Sequence, residues 1–162
     1  MDNSAYLVHM AFPNIFTVQV IDDVIGRINK LTSSTTAQWG KMNAPQMLAH
    51  CCVAYELEYE GDKHPKPGAL MRLMLKMLVK NKVVSEAPYK HSSPTAPAFI
   101  VTGERDFETE KARLIGYIKK TQQLGESEFD GKMSHSFGPL SITQWNNLFY
   151  KHLDHHLTQF GV

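Results

Sequence analysis

Cysteine is scarce in this chain: the 162 residues hold two, Cys51 and Cys52, and they are neighbours. Adjacent side chains on a helix diverge by about 100°, which argues against an ordinary intrachain disulfide and makes a reducing, cytoplasmic setting the expectation. Long apolar runs are missing as well. No stretch approaches the roughly 18 residues that suggest a spanning helix, so no membrane partner is expected. Neither sign of charge dominates, with 17 Lys and Arg against 16 Asp and Glu and a formal net charge of +1. The cations are spread along the chain, which argues against nucleic acid as the main partner. There is no internal repeat, heptad array or low-complexity tract. The opening stretch, Met1 to Val8, lacks a basic leader region, so an unprocessed soluble protein is expected. A chain of this length fits one domain over residues 1–162. It can bury roughly 70% of its unfolded surface, so it needs neither disulfide nor metal to stay folded.

What is present reads as helix. Apolar residues from Val18 to Leu31 recur mostly at three- and four-residue intervals, the period of an amphipathic helix over residues 17–31. Asn43 offers an N-cap and Pro45 a first-turn proline for a second helix that runs to about Glu60. After the His64-Pro65-Lys66-Pro67-Gly68 turn, leucines and methionines alternate with Arg72, Lys76 and Lys80 in a short basic helix. It is expected to cover one end of the bundle or a dimer interface, with a membrane-surface role as the alternative. Residues 84–105 carry Pro88, Pro94 and Pro97 and suit a long irregular crossover, whose Tyr89, Lys90 and His91 read as connector or lid. Asp106 caps a further helix that Gly125 ends, with Glu110 complementing its first turn. A second irregular stretch, residues 131–140, leads to a last helix from Ser141 to Phe160. Period-two alternation is confined to Ala98 through Thr102. The fold class expected is therefore all-α: an antiparallel four-helix bundle with a long crossover and a short additional helix.

The chemistry gathers at the end of the chain. His152 and His156 stand at H-x-x-x-H spacing, one turn apart on the same helix face as Trp145, Leu148 and Phe149. They continue an apolar face, where a polar group needs a partner. His50 follows Gln46 by one turn on the second helix and can point toward the same interior. Three imidazoles carry no charge, so a divalent ion among them would keep its full charge and acidify a bound water toward pKa ~7 in the case of zinc. Three protein ligands with an open position describe a catalytic site, whereas a structural zinc is normally closed by four. The rival reading is three hydrogen-bonded core histidines. His135, in a Gly- and Ser-containing loop before the last helix, is a candidate acid/base or fourth ligand, with a surface histidine as the plain alternative. His155 and Asp154 lie off the stripe. Cys51 and Cys52 read as small buried hydrophobes rather than ligands. Tyr55, Glu58 and Arg105 could meet a substrate but are explained equally well by packing or solvent.

His50 with His152, His156 and Gln159 resembles the DinB/YfiT-like superfamily of bacterial four-helix bundles, which carry one histidine on the second helix and H-x-x-x-H-x-x-Q on the last. Trp39 to His50 and His152 to Val162 are similar to one uncharacterised branch of it. That branch often has His-Pro before the Phe-Gly of the last loop, where this chain has His135-Ser136-Phe137-Gly138. The resemblance implies a divalent metal held by His50, His152 and His156, zinc or nickel first and iron next, and frequently a homodimer. Some relatives are thiol-dependent transferases or isomerases. The function expected is a metal-dependent enzyme that activates water or a low-molecular-weight thiol against a small-molecule electrophile, as a hydrolase or thiol S-transferase. The alternative is a non-catalytic metal- or ligand-binding bundle acting as a dimeric binding or stress protein.

Overall fold

The computed structural model describes residues 10–162, so the opening Met1 to Val8 stretch lies outside the described residues. The chain is mostly helical: α1 (Val18–Asn29), α2 (Ala44–Tyr59), α3 (Ala69–Leu78), α4 (Lys80–Val84), α5 (Phe107–Leu124), α6 (Glu126–Phe129) and α7 (Ile142–Gln159). Among the described residues no helix is long and apolar enough to cross a membrane.

Local chemistry accounts for where the long helices begin. The Asn43 side chain accepts from Gln46 N at 2.9 Å while Gln46 Oε1 accepts from Asn43 N at 3.1 Å, a reciprocal cap that starts α2. Ser141 and Gln144 do the same for α7. At α5, Asp106 Oδ1 accepts from Thr109 N at 2.8 Å, and Gly125 closes the helix at φ +74°, a backbone angle glycine takes without steric cost.

The four long helices share one core. α2 packs on α5 and α7, and α1 packs on α5 and α7 in turn. From Ala44 to Glu56, α2 is buried on every side except at Gln46, the signature of a helix surrounded by others rather than lying on a surface. Leu48, Tyr55, Leu114, Ile118, Trp145 and Phe149 fill the space between. Tyr55 is buried, its ring stacked on Phe149 at 4.8 Å, so it serves the packing.

Two expectations change and two readings gain detail. Residues 131–140 are not wholly irregular: β1 (Met133–Ser134) pairs antiparallel with β2 (Gly138–Pro139) in a small hairpin, held by Ser134 Oγ donating to the Gly138 carbonyl. In keeping with the all-α expectation, the alternation at Ala98 to Thr102 forms no strand, because Pro97–Phe99 winds into a 3₁₀ turn. Glu110 stands in the first turn of α5, where it is buried and also paired with Arg113 at 2.5 Å. Finally, α3 does not cover one end of the helices, since none of its residues is buried.

Candidate metal centre

Two buried helices bring the three histidines together. His50 comes from α2 and His152 and His156 from α7, and their nearest ring nitrogens all lie within 4.8 Å of one another. His50 Nε2 and His152 Nε2 are 2.9 Å apart. His156 stands edge-on to both rings, with centroids at 4.5 Å from His50 and 4.9 Å from His152. Among the described residues no other His, Cys, Asp or Glu joins them.

The outward nitrogens decide what the inward ones can do. His50 Nδ1 donates to the Phe99 carbonyl at 2.8 Å, and a carbonyl only accepts, so the proton sits on Nδ1 and Nε2 keeps its lone pair. His156 Nδ1 donates to Gln159 Oε1 at 2.8 Å, while Gln159 Nε2 donates to the Trp39 carbonyl at 2.7 Å. That second bond fixes which way the amide points, and with it the His156 tautomer. Burial pushes all three imidazoles below their ordinary pKa: His50 modestly, His152 far down with help from His156 and His50, and His156 to about 3 with help from His50. They are neutral at physiological pH, the form that binds metal.

This donor set fits a divalent ion. Two ligands of one ion at roughly 2.0–2.1 Å stand about 3.0–3.4 Å apart, depending on the angle between them, close to the separation of the His50 and His152 nitrogens. A buried cluster of three neutral histidines, two with outer nitrogens tied to oxygens, could hold a metal ion.

Gly40 and Gly161 let the loop before α2 and the C-terminal tail meet here. A Cβ on Gly40, at φ +89°, would lie 2.5 Å from Gln159 Nε2; one on Gly161, at φ +76°, would lie 2.7 Å from Gln38 Nε2. Gln38 N also donates to the Gln159 carbonyl at 2.8 Å. The Trp39-Gly40 block and the tail are thus neighbours because the chain lacks side chains where they meet.

The family model for proteins of unknown function DUF1569 matches residues 13–161. The chain belongs to that family. No curated protein and no solved structure matches it.

Within this DUF1569 chain the remaining candidates fall elsewhere. The structure does not bring His135 to the cluster. It sits in the hairpin beside Glu58, eight residues or about 12 Å along α2 from His50. Its Nε2 donates to the His64 carbonyl and its Nδ1 accepts from Ser136 Oγ, both at 3.0 Å. Glu58 pairs with Lys132 at 2.9 Å. Asp154 pairs with Arg27 at 2.7 Å, and Arg27 also donates to the Val162 carbonyl. His155 packs against His156, Tyr89 and Trp39. His91 stacks on Trp39 at 3.8 Å, so the crossover is laid over this side of the cluster. Cys51 and Cys52 are buried thiols, Cys52 raised to about 12 chiefly by desolvation.

Two participants escape sequence reasoning. The Phe99 carbonyl is a backbone atom with no residue signature; only the nearby Pro97 turn hints that the crossover is ordered there. Lys151 is buried and donates to the carbonyls of Lys82, Ser85 and Ala87 at 3.0, 2.6 and 3.1 Å. It thereby ties the end of α4 to α7 beside His152, and nothing in its sequence neighbourhood distinguishes it from a surface lysine.

Proposed function

We propose that this protein is a metal-dependent enzyme of the DinB/YfiT-like kind: an antiparallel four-helix bundle in which His50, His152 and His156 hold a divalent ion, zinc or nickel first and iron next. It acts in the cytoplasm, as a homodimer, on a small-molecule electrophile, by hydrolysis or by transfer to a low-molecular-weight thiol. The observation that carries this reading is the inward convergence of the three imidazoles with no fourth protein ligand among the described residues.

A divalent ion bound there would act as a Lewis acid and depress the pKa of a coordinated water or thiol, supplying a nucleophile near neutral pH. The chain's own contribution is orientation and shielding. The Phe99 carbonyl and the Gln159 amide hold two rings with their lone pairs inward. The Phe99 ring stands edge-on to His50 and His152 at 5.5 and 5.7 Å, limiting water on that side. One observation favours a non-catalytic binding role instead: the crossover lies against the cluster, with the Phe99 ring edge-on to His50 and His152 and His91 stacked on Trp39 beside it.

The test is elemental analysis of protein purified without added metal or chelator, beside His50→Ala and the double variant His152→Ala, His156→Ala. Near-stoichiometric metal in the wild type, lost in both variants, is expected. It would be followed by thiol-dependent or hydrolytic turnover that chelator abolishes. Wild-type protein that takes up no zinc, nickel or iron on anaerobic reconstitution would end the metalloenzyme reading; metal without chelator-sensitive turnover would favour the binding role.

A further inference from the structure

The face of the molecule least explained by its fold is α3. Leu70, Met71, Leu73, Met74, Met77 and Leu78 are between 47% and 74% exposed. With about 100° between successive residues, these six side chains occupy an arc of about 160°, and Arg72 and Lys76 stand outside it. Lys80, at the start of α4, continues the Arg72–Lys76 row by one more turn. Monomeric proteins rarely leave so large an apolar surface bare, and a patch of this kind marks a binding face.

Charge says what kind. From Lys63 to Ser85 the sequence has six Lys and Arg and no Asp or Glu, although the whole chain is nearly neutral. Of those six, only Lys63 is in an ion pair among the described residues, with Glu56 and Glu60. Lys66, Arg72, Lys76, Lys80 and Lys82 have no carboxylate partner there. Lys66 and Arg72 also line a cavity of about 200 Å³ with Glu58, Ser134 and His135, and Met133 on its rim is itself 60% exposed.

We propose that α3 lies in the plane of an anionic lipid surface, its apolar arc set into the headgroup boundary and the unpaired cations held at the level of the phosphates. An apolar arc beside a strictly cationic row is the pattern of an interfacial helix, and lysine and arginine stems can lie along the apolar layer while their charges reach the phosphates. A second copy of the chain satisfies the apolar arc but not the charge. Two α3 helices face to face bring cationic rows together, with no acidic residue anywhere in 63–85 to offset them. The expectation of no membrane partner rested on the lack of an apolar run long enough to span a bilayer, which does not bear on a helix lying in its surface. The proposal is independent of the histidine cluster.

The experiment is vesicle flotation with the full chain, using phosphatidylcholine alone and phosphatidylcholine mixed with phosphatidylglycerol, over a series of salt concentrations. Binding at least tenfold stronger to the anionic vesicles, weakening as salt rises, is expected. Leu73→Asp with Met77→Asp should abolish it. Arg72→Gln with Lys76→Gln should lower it about tenfold or more, since each cation near an anionic surface is worth several-fold in affinity. Because every substituted side chain is exposed, circular dichroism should stay at the wild-type value and show that lost binding is not lost folding. Absence of flotation, or equal binding to neutral vesicles, overturns the proposal. So does self-association in sedimentation that the Leu73→Asp, Met77→Asp variant removes, because it assigns the face to a second copy.

Discussion

Replacing Gly40 by alanine tests whether the tail and the Trp39 block are coupled through Gln159. At φ +89° the new Cβ strains the backbone by about 1–2 kcal/mol, and at 2.5 Å it occupies the place of Gln159 Nε2. The amide must turn away, which gives up its bond to the Trp39 carbonyl, worth about 1 kcal/mol. The predicted loss for Gly40→Ala is therefore about 2–3 kcal/mol, read from urea denaturation of metal-free protein. A second effect separates this account from simple destabilisation. Once the amide moves, His156 Nδ1 loses its acceptor, and loss of such an outer partner weakens metal binding about 10- to 100-fold, read by competition with a chromophoric chelator. In a Gln159→Ala background the side chain no longer obstructs the Cβ. There Gly40→Ala should cost only the backbone strain and leave metal affinity unchanged. Full additivity of the two substitutions in both measurements would refute the coupling.

Three further outcomes are expected. Gly116 lies in α5, where a Cβ meets nothing within 4 Å, so Gly116→Ala should stabilise by about 0.5–1 kcal/mol in the same denaturation assay; a loss would mean that the helix surface there is not free. Lys151→Met leaves three carbonyls without their donor and should destabilise by about 1–3 kcal/mol, with a neutral result showing that water replaces the ammonium. Burial alone would push the Glu56 carboxyl up, but Lys63, His64 and Arg113 together bring it below its ordinary value. Its contribution to stability is thus present above the unfolded pKa of about 4.3 and lost as pH falls through the folded value. Glu56→Gln should cost about 1.5–3 kcal/mol at neutral pH by losing the charge-assisted bonds from Lys63, His64 and Arg113, since Lys63 and Arg113 keep Glu60 and Glu110 as partners, and should flatten the acid limb of stability against pH. An unchanged acid limb would show that another carboxylate controls it.

The parts of this protein legible from sequence are those governed by neighbours along the chain. The caps at Asn43, Asp106 and Ser141 bond three residues away, and the one-turn spacing of His152 and His156 follows from helix geometry alone, so each could be read before any fold was known. His50 could be placed on an inward face, but its meeting with α7 needs packing across about a hundred residues, as the 2.9 Å contact with His152 records. Facing apolar segments allow that meeting, and only packing makes it.

Tertiary structure alone decided the rest. Phe99 acts through its carbonyl, which every residue has, so no side-chain pattern could announce it. Gly40 matters for an atom it lacks, opposite a glutamine 119 positions away. Lys151 looks like any helix lysine until three carbonyls converge on its ammonium. His135 reads as a neighbour of the site because its loop precedes the helix that bears His152, yet the hairpin carries it to the other end of α2. The amphipathic pattern of α3 predicts one buried face; whether that face meets the protein's own core depends on where α3 is anchored, and here it stands clear of the core. Local spacing determines helices, caps and which faces are apolar, because those depend on bonds within a few residues. Which faces meet, and which are left over for a partner, is decided by long-range packing that short sequence patterns do not encode.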